Sequence, residues 1–79
     1  MAKSKKISDE EILLKKLGDR IHFLRKKKGK SQNDLALDID WDKSNLRKIE
    51  KGKLNVTVKT LYKLSQALDV ELHELFIEE

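Results

Sequence analysis

Apolar residues recur along this chain at helical rather than strand spacing. Leu13, Leu17, Ile21 and Leu24 follow one another at intervals of four, four and three residues, which aligns them as one buried stripe on a helix. Ser8 and Glu11 stand at capping-box spacing ahead of that stripe, and Asp9 and Glu10 suit the positive helix end, so the helix is predicted to start at Asp9. Its far end is marked by Arg25-Lys26-Lys27-Lys28 and then Gly29, which can take the left-handed conformation that closes a helix. Ser31 and Asp34 open a second helix, predicted over Gln32 to Ile39, with Leu35, Ala36 and Ile39 facing inward. Asp40-Trp41-Asp42 then breaks the pattern. Asp42 suits the N-cap of a third helix over Lys43 to Lys51, with Leu46 and Ile49 inward and Gly52 beyond its end. Thr57 caps a fourth helix carrying Leu61, Leu64 and Leu68, and a last turn and a half from Leu72 to Ile77 supplies Leu72, Leu75 and Phe76 as a lid on the core. Strand signals are nearly absent, so the fold class is all-α: a compact five-helix domain.

Composition narrows this picture. Leu, Ile, Val and Phe make up 24 of 79 residues, above the roughly 20% below which a charged chain stays disordered. One domain is expected over residues 9–79, preceded by a flexible basic N-terminal arm, residues 1–8, that carries Lys3, Lys5 and Lys6. With no Cys, the chain has no disulfide framework, thiol nucleophile or Cys-containing metal site. The longest apolar run, Ile12-Leu13-Leu14, predicts no membrane association, and a cytoplasmic, nucleoid-associated location is expected. The net charge of +4 is modest, but it divides into +7 over residues 1–30, +1 over residues 31–60 and −4 over residues 61–79. Such polarity suits a polyanion touched on one side only.

The most informative segment is residues 32–51, two short helices joined by a turn of about three residues. So tight a joint makes the helices cross steeply, as in a helix-turn-helix, and leaves the second projecting from the body. Its outward face is Lys43, Ser44, Arg47, Lys48 and Lys51, side chains able to reach base edges in the major groove of B-form DNA.

From Leu17-Gly18-Asp19-Arg20-Ile21 through Ser31-Gln32-Asn33-Asp34-Leu35-Ala36 and Ser44-Asn45-Leu46-Arg47-Lys48-Ile49-Glu50-Lys51-Gly52-Lys53 to Glu74-Leu75-Phe76, the chain resembles the phage Cro and repressor type of helix-turn-helix regulators, also called XRE-like. The resemblance covers about residues 15–77. It implies a lambda-repressor-like fold, here with an extended first helix, and a sequence-specific regulator of transcription, most often a repressor, that binds a palindromic operator in double-stranded DNA as a homodimer. It implies base reading by Lys43, Ser44, Arg47 and Lys48, and phosphate contacts by Gln32, Asn45, Lys51, Lys53, Asn55 and Thr57. Gln32 is also expected to brace the first side chain of the reading helix. Lys30, in the basic run beside the motif, is expected to add phosphate attraction, and Leu72, Phe76 and Ile77 to serve a dimer interface. Asp40 stands where the family usually has Gly, and Val56 where Pro is frequent.

No cofactor, metal or small-molecule ligand is indicated, and an enzyme is not expected: Ser44 and Asp42 have no neighbouring His to act as base, and no Gly-rich phosphate loop exists. Three alternatives use the same module: a restriction-modification controller, an antitoxin, or a protein-interaction adaptor that has lost DNA binding. The adaptor would have no reason to keep Lys43, Arg47, Lys48, Lys51 and Lys53 together.

Overall fold

The computed structural model describes residues 8–77, and the expected basic arm, apart from Ser8, lies outside them. Four α-helices run in order, α1 (Asp9–Lys27), α2 (Gln32–Asp38), α3 (Lys43–Glu50) and α4 (Val58–Ala67), followed by a 3-10 helix, Leu72–Phe76. No strand occurs among the described residues. The helix starts are written locally. Ser8 Oγ accepts from Glu11 N while Glu11 accepts from Ser8 N, both at 3.1 Å. Ser31 and Asp34 make the same exchange at 3.0 Å, and Thr57 Oγ1 accepts from Thr60 N.

Three expectations are corrected. The fifth helix has the expected length, Leu72–Phe76, but it is a 3-10 rather than an α-helix, entered where the Glu74 carboxylate turns back to accept from Glu71 N. Asp42 has the extended backbone of an N-cap, yet its side chain makes no capping bond. Leu13 does not join the buried stripe and is 55% exposed, since the first turns of α1 project past the body.

The core comprises Leu17, Ile21 and Leu24 of α1, Leu35 and Ala36 of α2, Leu46 and Ile49 of α3, Leu61 and Leu64 of α4, with Ile39, Leu68 and Leu75 outside the α-helices. Here Ile39 belongs to the turn that leads into α3. Burial of each large aliphatic side chain is worth about 1.5–3 kcal/mol before conformational entropy is charged against it. Two glycines bring α3 onto α1. A Cβ on Gly18 would lie 2.3 Å from the Ile49 carbonyl oxygen, and one on Gly52 would lie 2.8 Å from Cα of Lys15. Gly52 also needs its freedom at φ +73°, where it closes α3. Both contacts hold the C-terminal end of α3 close against α1.

Candidate nucleic-acid interface

The turn between α2 and α3 is four residues long. Asp40, at φ 60°, takes the left-handed bend expected of it in place of Gly. Trp41 N then donates to Ala36 O at 2.7 Å, and the indole, half-buried, packs against the core. Leu46 is fully buried and Ile49 2% exposed, so α3 is anchored along one side. Its other side presents Lys43, Ser44, Arg47 and Lys48 to solvent, with Lys51 and Lys53 continuing the surface and Asn45 half-buried at its edge. None of these cations has a salt bridge or hydrogen bond with another described residue. The surface therefore keeps its charge available for an external anion.

Beneath it lies a closed polar network. Glu50, 7% exposed, faces inward from the last turn of α3. Arg25 of α1 grips it through Nε to Oε2 at 2.7 Å and Nη2 to Oε1 at 3.1 Å, and donates Nη1 to the Lys30 carbonyl at 2.8 Å. Gln32 Nε2 donates to Glu50 Oε1 at 3.1 Å, and His22 Nδ1 lies 3.1 Å from the same oxygen. Burial pushes the Glu50 pKa up, but the hydrogen bonds from Arg25, His22 and Gln32 and the Arg25 charge outweigh it, and the net shift is downward. The carboxylate stays ionised and ties α1, α2 and α3 together.

This network redistributes roles. Gln32 braces Glu50 at the end of α3 rather than the first side chain of that helix. Lys30 donates to Asp38 and to the Ala67 carbonyl, so its ammonium is an internal brace between α2 and α4. Lys28 pairs with Asp69. Of the basic run, Arg25, Lys26 and Lys30 line, with Lys43, Gln32 and Asn33, an open groove of about 590 Å³, and of those three Lys26 alone has no side-chain partner among the described residues. Thr57 spends its hydroxyl on Thr60, accepting from the amide and donating to Oγ1, while Asn55 and Thr57 both remain exposed. Of the expected dimer residues, Leu72 is half-buried against the core, whereas Phe76 and Ile77 are 51% and 41% exposed; Phe76 is no lid. Sequence reasoning missed Glu50, His22 and Arg25 as a unit, because a pair 25 residues apart has no local signature.

The helix-turn-helix family model matches residues 21–75. The chain belongs to the helix-turn-helix family of DNA-binding transcriptional regulators. It is 48% identical over 61 residues to the HTH-type transcriptional regulator SlrR of Bacillus subtilis, spanning 76% of this chain but 40% of SlrR. It is similar to the restriction-modification controller C.AhdI of Aeromonas hydrophila at 43% identity, with 80% of this chain and 96% of that chain covered and a TM-score of 0.78. The crystal structure of SinR, the master regulator for biofilm formation, in complex with DNA matches at 39% identity over 77% of this chain and 98% of that one, with a TM-score of 0.73. This helix-turn-helix family consists of regulators, not enzymes. No described helix is long and apolar enough to cross a membrane.

Proposed function

We propose that this helix-turn-helix protein represses transcription as a homodimer on a near-palindromic operator, with Lys43, Ser44, Arg47 and Lys48 reading bases. The observation that carries this reading is the row of unpaired cations on the outer side of α3, held rigid from behind by Glu50. Lys51, Lys53, Asn45, Asn55 and the remaining amide hydrogen of Gln32 bind phosphates, with the exposed N-terminus of α4 at Thr57. Lys26 joins them in place of Lys30. One small module buries about 600–1,000 Å² on DNA, so pairing two of them is the usual route to tight binding. Two reading helices about 34 Å apart would match one turn of the duplex.

Titration against random duplex DNA tests the reading. Affinity should fall with salt at a log-log slope of about −0.9 per phosphate neutralised, and absence of binding at low salt would sink it. Arg47→Ala should cost about 1–3 kcal/mol on the selected operator and flatten its base preference. Lys53→Ala should weaken all sequences alike and reduce the slope by about 0.9. Equal behaviour of the two variants would refute the division into readers and anchors.

A second reading, as a restriction-modification controller, is favoured by the likeness to C.AhdI, which spans nearly all of that controller. Footprinting upstream of an endonuclease gene beside this one would distinguish it from a repressor of unrelated genes.

A further inference from the structure

His22 is the most open member of the Glu50 network: its side chain is 53% exposed, against 7% for Arg25 and 5% for Glu50. Gly18, His22 and Arg25 follow one another at four and three residues, so they share the side of α1 that lies against α3. One edge of the imidazole points inward, with Nδ1 3.1 Å from Glu50 Oε1 and 3.1 Å from Arg25 Nη2. Nδ1 can donate to the carboxylate or accept from the guanidinium, but not both. The opposite nitrogen, Nε2, has no partner among the described residues. The ring lies beside Gln32, whose Nε2 sits on the same Glu50 oxygen, and Gln32 lines the groove that also holds Lys26 and Lys43.

We propose that His22 is a further phosphate-binding residue of the DNA interface, donating Nε2–H to the backbone, and that it takes up a proton as the duplex binds. The proposal rests on the phosphate role given above to its neighbours Gln32 and Lys26. When the neutral ring donates Nδ1–H to Glu50, Nε2 turns a lone pair outward and has no hydrogen to offer a phosphate oxygen. A proton taken from solvent supplies that hydrogen and a positive charge together, and the bond to Glu50 is kept. The other neutral tautomer, accepting from Arg25, already carries Nε2–H but has no charge and gives up the bond to Glu50. Imidazole is the side chain whose charge changes between about pH 5 and 8. The charged groups about this one are Arg25, Lys26 and the Lys15–Asp19 pair on α1, and Glu50 on α3 with Lys51 exposed beyond it. From α2 comes Gln32, which is uncharged. Arg25 opposes a charged ring and Glu50 favours it, so a third charge decides the outcome. A phosphate within about 4–6 Å favours the charged form by about one pH unit or more, the lower end applying at so open a site.

Binding to a duplex of random sequence at fixed low salt, measured from about pH 5.5 to about pH 8, tests this. The wild type should bind about tenfold more tightly at the acid end, with a log-log salt slope steeper by about 0.9, one added phosphate. The extra affinity is complete where the free ring is already charged, and is lost as pH rises past the point where the DNA-bound ring gives up its proton. His22→Gln keeps a polar side chain without a titrating proton and should abolish both effects. His73→Gln, exposed on the 3-10 helix, should keep them. A His22→Gln protein with the wild-type pH profile, or a wild type with a flat one, would overturn the proposal while sparing DNA binding. Absence of duplex binding at every pH would overturn both. The nitrogen resonances of the wild-type ring need no variant: His22 should hold its second proton to higher pH in the complex. A titration that DNA leaves unmoved would overturn the proposal as well.

Discussion

Glu50→Ala should lower stability by about 3–5 kcal/mol, the usual cost of leaving one partner of a buried ion pair alone. The loss is not the Arg25 pair by itself. Removal of the carboxylate strands the Arg25 guanidinium, 7% exposed at its side chain, and deprives Gln32 and His22 of their shared acceptor. A domain of this length has about 4–12 kcal/mol in total, so the melting temperature should fall by about 15 °C or more. Chemical denaturation and thermal scans check the value, and a change below about 1 kcal/mol would show that the pair only breaks even with its desolvation. Because the Glu50 pKa is lowered on folding, its contribution is complete above the ordinary value near 4.5 and is lost as pH falls through the lower folded value. Wild-type stability should thus decline below about pH 4.5, and Glu50→Gln should remove part of that decline while keeping an acceptor for Arg25.

Gly18→Ala is the second large effect, and its sign is decided by two opposed terms. Alanine favours a helix interior over glycine by about 1 kcal/mol. Against that, the new methyl would meet the Ile49 and Glu50 carbonyl oxygens at 2.3 and 2.7 Å, and the Glu50 carbonyl carbon at 2.9 Å, where ordinary contacts begin near 3.4 Å. These are backbone atoms and cannot swing aside, so α3 must move away from α1 as a body. Overpacking of this kind costs about 1–3 kcal/mol or more, and an overlap of an ångström places it at the upper end. The expected result is a net loss of about 2 kcal/mol or more, with operator affinity reduced further because Arg47 and Lys48 move with the helix. Gly29→Ala is the control: nothing lies within 4 Å of its added methyl, so the cost is about 1 kcal/mol for the left-handed φ alone. Equal stability of the two variants would refute the close approach of α1 and α3.

The parts of the fold that were legible in the sequence are those with local causes. Ser8, Ser31 and Thr57 start helices by bonding amides three residues on, and Leu46 and Ile49 orient α3 through their three-residue spacing, whichever tertiary neighbours they meet. The outward row of Lys43, Ser44, Arg47 and Lys48 follows from the same periodicity. The fate of Leu13 was not legible: it continues the stripe of Leu17, Ile21 and Leu24, but burial requires a neighbour, and no described element covers that turn. Nor was the 3-10 form of the last segment, where reciprocal contacts of Glu71 and Glu74 open a helix of only five residues.

The sequence by itself determined where the helices begin, which side of α3 is polar, and that a helix-turn-helix lies at residues 32–51, because caps and periodicity act over three or four residues. Only the tertiary structure decided which charges that motif can use. Arg25 meets Glu50, Lys28 meets Asp69, and Lys30 meets Asp38 and the Ala67 carbonyl, with most of these partners 25 or more residues away. An ion pair depends on separation in space, which the order of residues does not display. Toward the groove and the outer side of α3, folding leaves six basic side chains without partners among the described residues, Lys26, Lys43, Arg47, Lys48, Lys51 and Lys53, and these are the ones proposed to meet DNA.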